Sequence, residues 1–477
     1  MKRILGGILV SMVAAGLVCA GESAKPNILF IAIDDLNGYV GALEEHPQVQ
    51  TPHIDRLAER GVLFSDAHCA APACNPSRTA VMTGLAPTTS GVYFNQQDWR
   101  ESSRLEDVAT IPEHFRDAGY RVFGGGKLYH ASSLNERSHT GLLDPEPWDE
   151  FFPSKDRQLV AEALPAAVPT HGNPEFYKGF MDWAALDIDD EEMGDAKVVA
   201  WAEEQLSQEH AEPLFLAVGI YRPHIPFYTP QKYFDLYAEE SLVMPEIQAG
   251  DLDDVPEIGQ QMARRHWHEW IDDNDQYRNF VRAYLASASF ADAMVGRLIN
   301  ALDEGPMAEN TIIVLWSDHG YHLGHKEHWE KFVLWEQATR VPMIFAGQGI
   351  EGGRNCEEPV SLLDVYPTLS DLAGIQNPPH LDGVSLVPLL ENPDDETGRA
   401  VVITQGPGNH AVRSRDWSYI RYEDGSEELY DRNADPREFT NIAAAPDKQA
   451  FIDEQAQWLP ENEASLDPEK TVRAEKK

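Results

Sequence analysis

Two apolar runs set the terms for this chain. Asn27–Ile33 (NILFIAI) ends in Asp34-Asp35, and residues 311–316 (TIIVLW) end in Ser317-Asp318-His319-Gly320. Runs of this length without a charge, rich in Ile, Val and Leu, read as central strands buried on both faces of a mostly parallel sheet covered by helices. In open α/β sheets ligands collect beyond the carboxyl ends of the strands. Placed side by side, the two ends would present three carboxylates and an imidazole. Leaving such charges unpaired costs several kcal/mol, so they demand solvent or a cation, and the donors suit Ca²⁺ or Mg²⁺ better than a soft metal. Taken alone, Asp34-Asp35 could equally be a turn or a helix cap.

Further strands bring other groups to the same rim. Residues 120–123 run into Gly124-Gly125-Gly126-Lys127-Leu128-Tyr129-His130, where glycines allow close backbone approach and deliver one lysine and one histidine. Residues 213–219 lead into Arg222-Pro223-His224-Ile225-Pro226-Phe227, with a proline on either side of His224. Residues 341–345 give another strand. The spacing from 277 to 302 predicts one long amphipathic helix with structural residues, and residues 365–374 a helix ended by glycine. Residues 319–331 hold four histidines and two lysines. They read as a loop, and a basic cluster in so acidic a chain asks for a role.

Residues 378–398 are rich in Pro, Asp and Gly and mark a boundary. Beyond it, 400–405, 408–413, 417–422 and 428–430 read as short strands of a small antiparallel sheet. The expected organisation is a domain over 25–390 and a subdomain over 391–477, ending in a polar tail. Residues 1–20, with Lys2 and Arg3 before an apolar run, fit a signal peptide for export to the periplasm or the exterior. That run is too short for a membrane span, and lipid anchoring through Cys19 is the minor alternative. After processing, Cys69, Cys74 and Cys356 are too few and odd in number for a disulfide framework. Acidic residues exceed basic ones by 79 − 38 = 41. The balance excludes nucleic acid as a partner, and the charge of an anionic substrate would have to be met by a few local cations.

Cys74-Asn75-Pro76-Ser77-Arg78 puts a thiol on a proline-containing turn just before a helix that the sequence opens at Ser77. By itself Cys74 reads as a buried small hydrophobe as readily as a reactive group. Six motifs in order change this: Asp34-Asp35, Cys74-x-Pro-Ser-Arg78, Gly126-Lys127-x-x-His130, Pro223-His224-Ile-Pro-Phe227, Ser317-Asp318-His319-Gly320 and Trp329-x-Lys331. Together they resemble the type I sulfatase family, and within it the iduronate-2-sulfatase-like branch, whose usual metal-site amide is replaced by a histidine as at His319.

The resemblance implies an alkaline-phosphatase-like α/β sandwich with a large mixed, mostly parallel sheet flanked by helices, plus the smaller C-terminal subdomain. It implies that a maturation enzyme oxidises Cys74 to formylglycine, whose gem-diol attacks the sulfur of a sulfate ester. Arg78 would hold the charge of the attacking oxygen, His224 protonate the leaving alcohol, Lys127 and Lys331 bind sulfuryl oxygens, and His130 assist sulfate release. The metal ligands carried over are Asp34, Asp35, the modified Cys74, Asp318 and His319, with Ca²⁺ first and Mg²⁺ second. The expected substrate is a sulfated glycan or oligosaccharide, with the 2-O-sulfate of a uronic acid as first choice. Phosphate mono- or diester hydrolysis on the same fold, or a sulfated-glycan-binding pseudoenzyme, are the alternatives.

Overall fold

The computed structural model describes residues 25–131, 144–155, 157–160 and 181–468. The signal-peptide expectation and Cys19 lie outside them. Strand β1 (Asn27–Ile33) sits in the middle of a sheet with β2 (Gly61–His68), β3 (Arg121–Gly126), β4 (Glu150–Phe152), β5 (Leu214–Ile220), β6 (Thr311–Ser317), β7 (Arg340–Gly347) and β8 (Arg354–Cys356). The spatial order is β8-β2-β7-β6-β1-β5-β3-β4, with Val360–Ser361 also paired to β2. All these pairings are parallel except those of β7, which runs antiparallel to β2 and β6. β2 is absent from the sequence reading because Ser65-Asp66 breaks its apolar run.

The apolar runs work because both faces are covered. Leu29, Ile31 and Ile33 pack with helices α2 (Gly194–Leu206) and α4 (Tyr277–Glu304), the long helix expected from the spacing. Ile28, Phe30 and Ala32 face the other way, into a core shared with α1 (Cys74–Thr83) and α5 (Val365–Leu372). Fully burying one such Ile, Leu or Phe contributes roughly 1.5–3 kcal/mol. A one-residue slip would exchange the faces, so the register is fixed, and with it the place where each strand ends.

Beside β1 the backbones of β3 and β5 approach closely. A Cβ on Gly219 would lie 2.2 Å from the carbonyl carbon of Lys127, and Gly126 has φ +72° with its missing Cβ 2.0 Å from Gly219 O. Glycine at both places lets Lys127 turn over the end of β5.

A four-stranded antiparallel sheet follows: β9 (Val401–Thr404), β10 (His410–Arg413), β11 (Trp417–Arg421) and β12 (Glu427–Asp431), paired in that order. It is fastened to the large sheet by charge. Arg432 pairs with Asp66 at the end of β2 and with Glu336, 3.1 Å away, and Arg413 joins Glu336 to Glu438. Asp66, His68 and Glu336 converge closely enough to hold an ion, but Arg432 already neutralises them. Burial would raise the Asp66 carboxyl, yet Arg432 outweighs it and holds it well below its usual 3.8. A depressed carboxylate stabilises the fold above its unfolded value, and the contribution fades as pH falls below about 4. Urea unfolding from pH 7 to pH 3 is therefore expected to fall less steeply for Arg432→Met than for the native protein. An unchanged acid slope would remove this role from the pair.

Candidate active site

Four parallel strands deliver the site. β1 ends in Asp34-Asp35, β6 in Asp318-His319, β3 in Lys127, and the turn after β5 carries His224. The ends stay in register, since Asp34 N–H donates to Ile220 O (3.1 Å) and Asp318 N–H to Ile33 O (3.1 Å). Asp35 has φ +62°, a conformation that side chains adopt rarely. Its N–H donates to Asp318 Oδ1 (3.1 Å).

From the far side comes α1, which begins at Cys74 itself and not at Ser77. Pro76 is no obstacle, because N–H groups of the first turn have no partner within the helix. Arg78, fully buried one turn on, ties the site together. Its Nε donates to Asp318 Oδ2 (2.7 Å), Nη2 to Asp34 Oδ1 (3.2 Å) and Nη1 to Lys127 O (2.5 Å). Lys127 Nζ donates to Asp34 Oδ2. Lys331 Nζ lies 2.5 Å from Asp35 Oδ1 and 3.3 Å from Cys74 Sγ. His319 Nε2 is also 3.3 Å from that sulfur, and His130 stands near enough to the Cys74 side chain to help lower its thiol. His224 Nε2 is 3.9 Å from Asp35 Oδ2. Every site residue read from the sequence is thus in one cluster, where only His130 is partly exposed.

The field at this cluster is specific. Burial alone would push the Cys74 thiol up, but Lys127, Lys331 and His319 hold it well below its ordinary value, so position 74 favours negative charge. Burial and the neighbouring Asp34 push the Asp35 carboxyl up to about 7 against the pull of Lys331. Burial works against charge on His319 too, yet Asp318 lifts it to about 9. Asp318 itself is desolvated, but Arg78 holds it at about 2. Burial and the two lysines push His224 down to about 3, so it is neutral here.

A cation fits among these groups. Ligand atoms of Asp34, Asp35, Cys74 and His319 all lie within 4.8 Å of one another, and Asp35 Oδ2 is buried without a hydrogen-bond partner. His319 Nδ1–H donates to Gly320 O (3.0 Å), so Nε2 is the nitrogen turned to the cluster, and it would ligate a cation on giving up its proton. Carboxylates with one imidazole are the donors of a hard divalent ion. Asp318 stands at the edge, its Oδ2 3.6 Å from His319 Nε2.

A family model described as Sulfatase matches residues 26–375, which span the whole constellation. The chain belongs to the sulfatase family. A second model, N-sulphoglucosamine sulphohydrolase, C-terminal, matches residues 324–464. A sulfatase of Formosa agariphila is 38% identical over 94% of this chain and 89% of its own. Iduronate 2-sulfatase of Homo sapiens is 29% identical over 79% of this chain and 74% of its own. The solved structure of a 2-O GAG sulfatase superposes with a TM-score of 0.69 at 24% identity, covering 91% of this chain and 90% of its own, which shows the alkaline-phosphatase-like fold.

This sulfatase is a sulfuric ester hydrolase, and its site includes helpers that the sequence reading passed over. Tyr284, on the helix taken as purely structural, donates its hydroxyl to Asp35 O (2.8 Å) and accepts the N–H of Asn37 (2.9 Å). Ser77 Oγ donates to Asp318 O (2.5 Å). The Tyr221 ring lies 5.0 Å beneath Lys127 Nζ. Tyr284 falls on the apolar stripe like any core residue, so its spacing carried no signal. Among the described residues no helix of this sulfatase is long and apolar enough to cross a membrane.

Proposed function

We propose that this sulfatase removes sulfate from a sulfated glycan, first of all the 2-O-sulfate of a uronic acid, with formylglycine made from Cys74 and a Ca²⁺ ion as its working groups. The observation that carries the reading is the field at position 74, where two ammoniums and an imidazole favour an anion beside a set of oxygen donors. The similarity to iduronate 2-sulfatase supports the uronate as substrate.

Asp34, Asp35, Asp318, His319 and the modified residue 74 would hold the ion, with Mg²⁺ as second choice. When bound, the cation and the hydrated aldehyde supply Lewis acidity and a hydroxyl nucleophile for the sulfur. Arg78 holds negative charge at that nucleophile. Lys127 and Lys331 each touch a strand-end carboxylate and lie where sulfuryl oxygens gather charge. His224 is the proton donor to the leaving alcohol. The same lysines hold it neutral, so the anionic ester must first offset them before His224 takes up a proton. His130, beside residue 74, is the base for release of sulfate.

The catalytic domain is read as residues 25–390 and the subdomain as 391–477. Export through residues 1–20 and a maturation enzyme as partner belong to the same reading.

A panel of defined sulfated oligosaccharides, assayed for released sulfate, tests reaction and substrate together. Release is expected first from a terminal 2-O-sulfated uronic acid, and release only from other positions would overturn the substrate. Removing divalent ions with a chelator is expected to abolish turnover and lower the melting temperature, both restored by Ca²⁺. Full activity in the chelator would sink the metal assignment.

A further inference from the structure

The histidine-rich stretch before Lys331 has a member with no part in the reaction as described. His328 is completely buried, with its ring against His322 (5.1 Å between centroids) and Trp335 (6.5 Å). Both of its ring nitrogens are engaged. The backbone N–H of Arg264 donates to Nδ1 (2.9 Å), and Nε2 lies 2.9 Å from the carbonyl oxygen of Lys331. A backbone N–H can only donate and a carbonyl can only accept, so the proton must sit on Nε2 and the ring is neutral. Burial and the Arg264 charge push the ring down to about 3, which agrees with the neutral form.

The residues around Lys331 show why such a clasp is needed. Glu330 has φ +82° and Phe332 has φ +74°, so Lys331 stands between two side-chain-bearing residues in the left-handed region. Such a conformation persists only where the surroundings hold it. Arg264, the residue just before helix α3 (Arg265–Asp273), touches both flanks. Its guanidinium pairs with Glu330 and lies 4.6 Å over the Phe332 ring, while its backbone reaches His328. Phe332 N–H also donates to Pro72 O (3.0 Å), two residues before Cys74.

We propose that His328 is a positioning residue: its Nε2–H grips the Lys331 carbonyl and, braced by Arg264, aims the Lys331 ammonium at the oxygens of the bound sulfuryl group. The inference rests on the reading of Lys331 as a sulfuryl ligand, and it gives a function to a histidine that would otherwise be core.

Amide substitutions separate the two halves of the clasp. His328→Gln carries an N–H near the place of Nε2 and can still reach the Lys331 carbonyl. His328→Asn offers an acceptor near the place of Nδ1 and reaches only Arg264. The matured, metal-loaded enzymes are compared by kcat and KM for 4-nitrophenyl sulfate and by calorimetric binding of inorganic sulfate, alongside His328→Ala and Lys331→Ala. Loss of one aimed hydrogen bond is expected to weaken kcat/KM and sulfate binding roughly tenfold in His328→Asn and His328→Ala. His328→Gln is expected to stay within about threefold of the native enzyme. Should the alanine variant fail to fold, the Asn and Gln pair still decides. Equal losses in Asn and Gln, or lowered melting temperatures with unchanged kinetics, overturn the positioning role. If Lys331→Ala binds sulfate as the native enzyme does, the sulfuryl role of Lys331 fails, and the aim assigned to His328 fails with it.

Discussion

Replacing Cys74 with alanine is expected to lower sulfate-ester hydrolysis by on the order of 10⁴-fold or more while leaving the fold intact, because it removes the proposed nucleophile and metal ligand at position 74 and none of the groups proposed to bind the sulfuryl oxygens. The two effects are separable at this position. Cys74 is completely buried at the start of α1, so the change deletes one sulfur atom from a packed site. A cavity of that size costs about 1 kcal/mol. A thermal melt should therefore move by a few degrees at most, and the sulfate-release assay should fall to background. The chemical partner of this experiment is the mass of the Cys74 peptide from protein made with a maturation enzyme. Replacement of the thiol by an aldehyde makes it lighter by about 18 mass units, the arithmetic of that covalent change. An unmodified thiol in a fully active enzyme would break the link between the two, and an active alanine variant would falsify the assignment outright.

What the sequence disclosed about this site follows from which interactions are local. Asp34-Asp35 and Asp318-His319 were legible because a charge closing a long apolar run is anomalous wherever it occurs, and because two runs did so alike. The small C-terminal sheet was legible within a residue or two, since turn residues punctuate alternating segments: the readings 400–405 and 417–422 became Val401–Thr404 and Trp417–Arg421. β2 was not legible, because Asp66 interrupts it and the partner that makes Asp66 acceptable, Arg432, lies 366 residues away. His328 could be seen as one of a histidine-rich stretch. Its use could not, because it depends on a backbone N–H at position 264 meeting one ring nitrogen while the other turns to Lys331. The helix starts at Cys74 and not at Ser77, because a proline in the first turn resembles a boundary in the sequence and is harmless within the helix.

Arg78 is the residue whose loss should cost the fold most. In the absence of metal, Arg78→Met is expected to lose about 3–5 kcal/mol of stability at pH 7, the usual cost of stranding a buried charge. Methionine fills much of the same space but leaves Asp318 Oδ2 without its 2.7 Å donor, Asp34 Oδ1 without its 3.2 Å donor and the Lys127 carbonyl unpaired. Arg78→Lys should recover little, because one ammonium cannot span three acceptors in three directions.

The pH dependence gives the signature. Arg78 holds Asp318 at about 2, below its usual 3.8, so their pairing contributes fully above about pH 4 and is lost as pH falls toward 2. The methionine variant should lose that part of the acid slope. Added Ca²⁺ should restore more stability to the variant than to the native protein, since a cation among the strand-end carboxylates does part of the work of the guanidinium. Urea unfolding with chelator and with Ca²⁺, at pH 7 and pH 3, reads all three effects. A loss below about 1 kcal/mol in chelator would mean that the carboxylates relax or protonate once Arg78 is gone. Arg78 would then serve only the anion at residue 74 and not the scaffold that holds it.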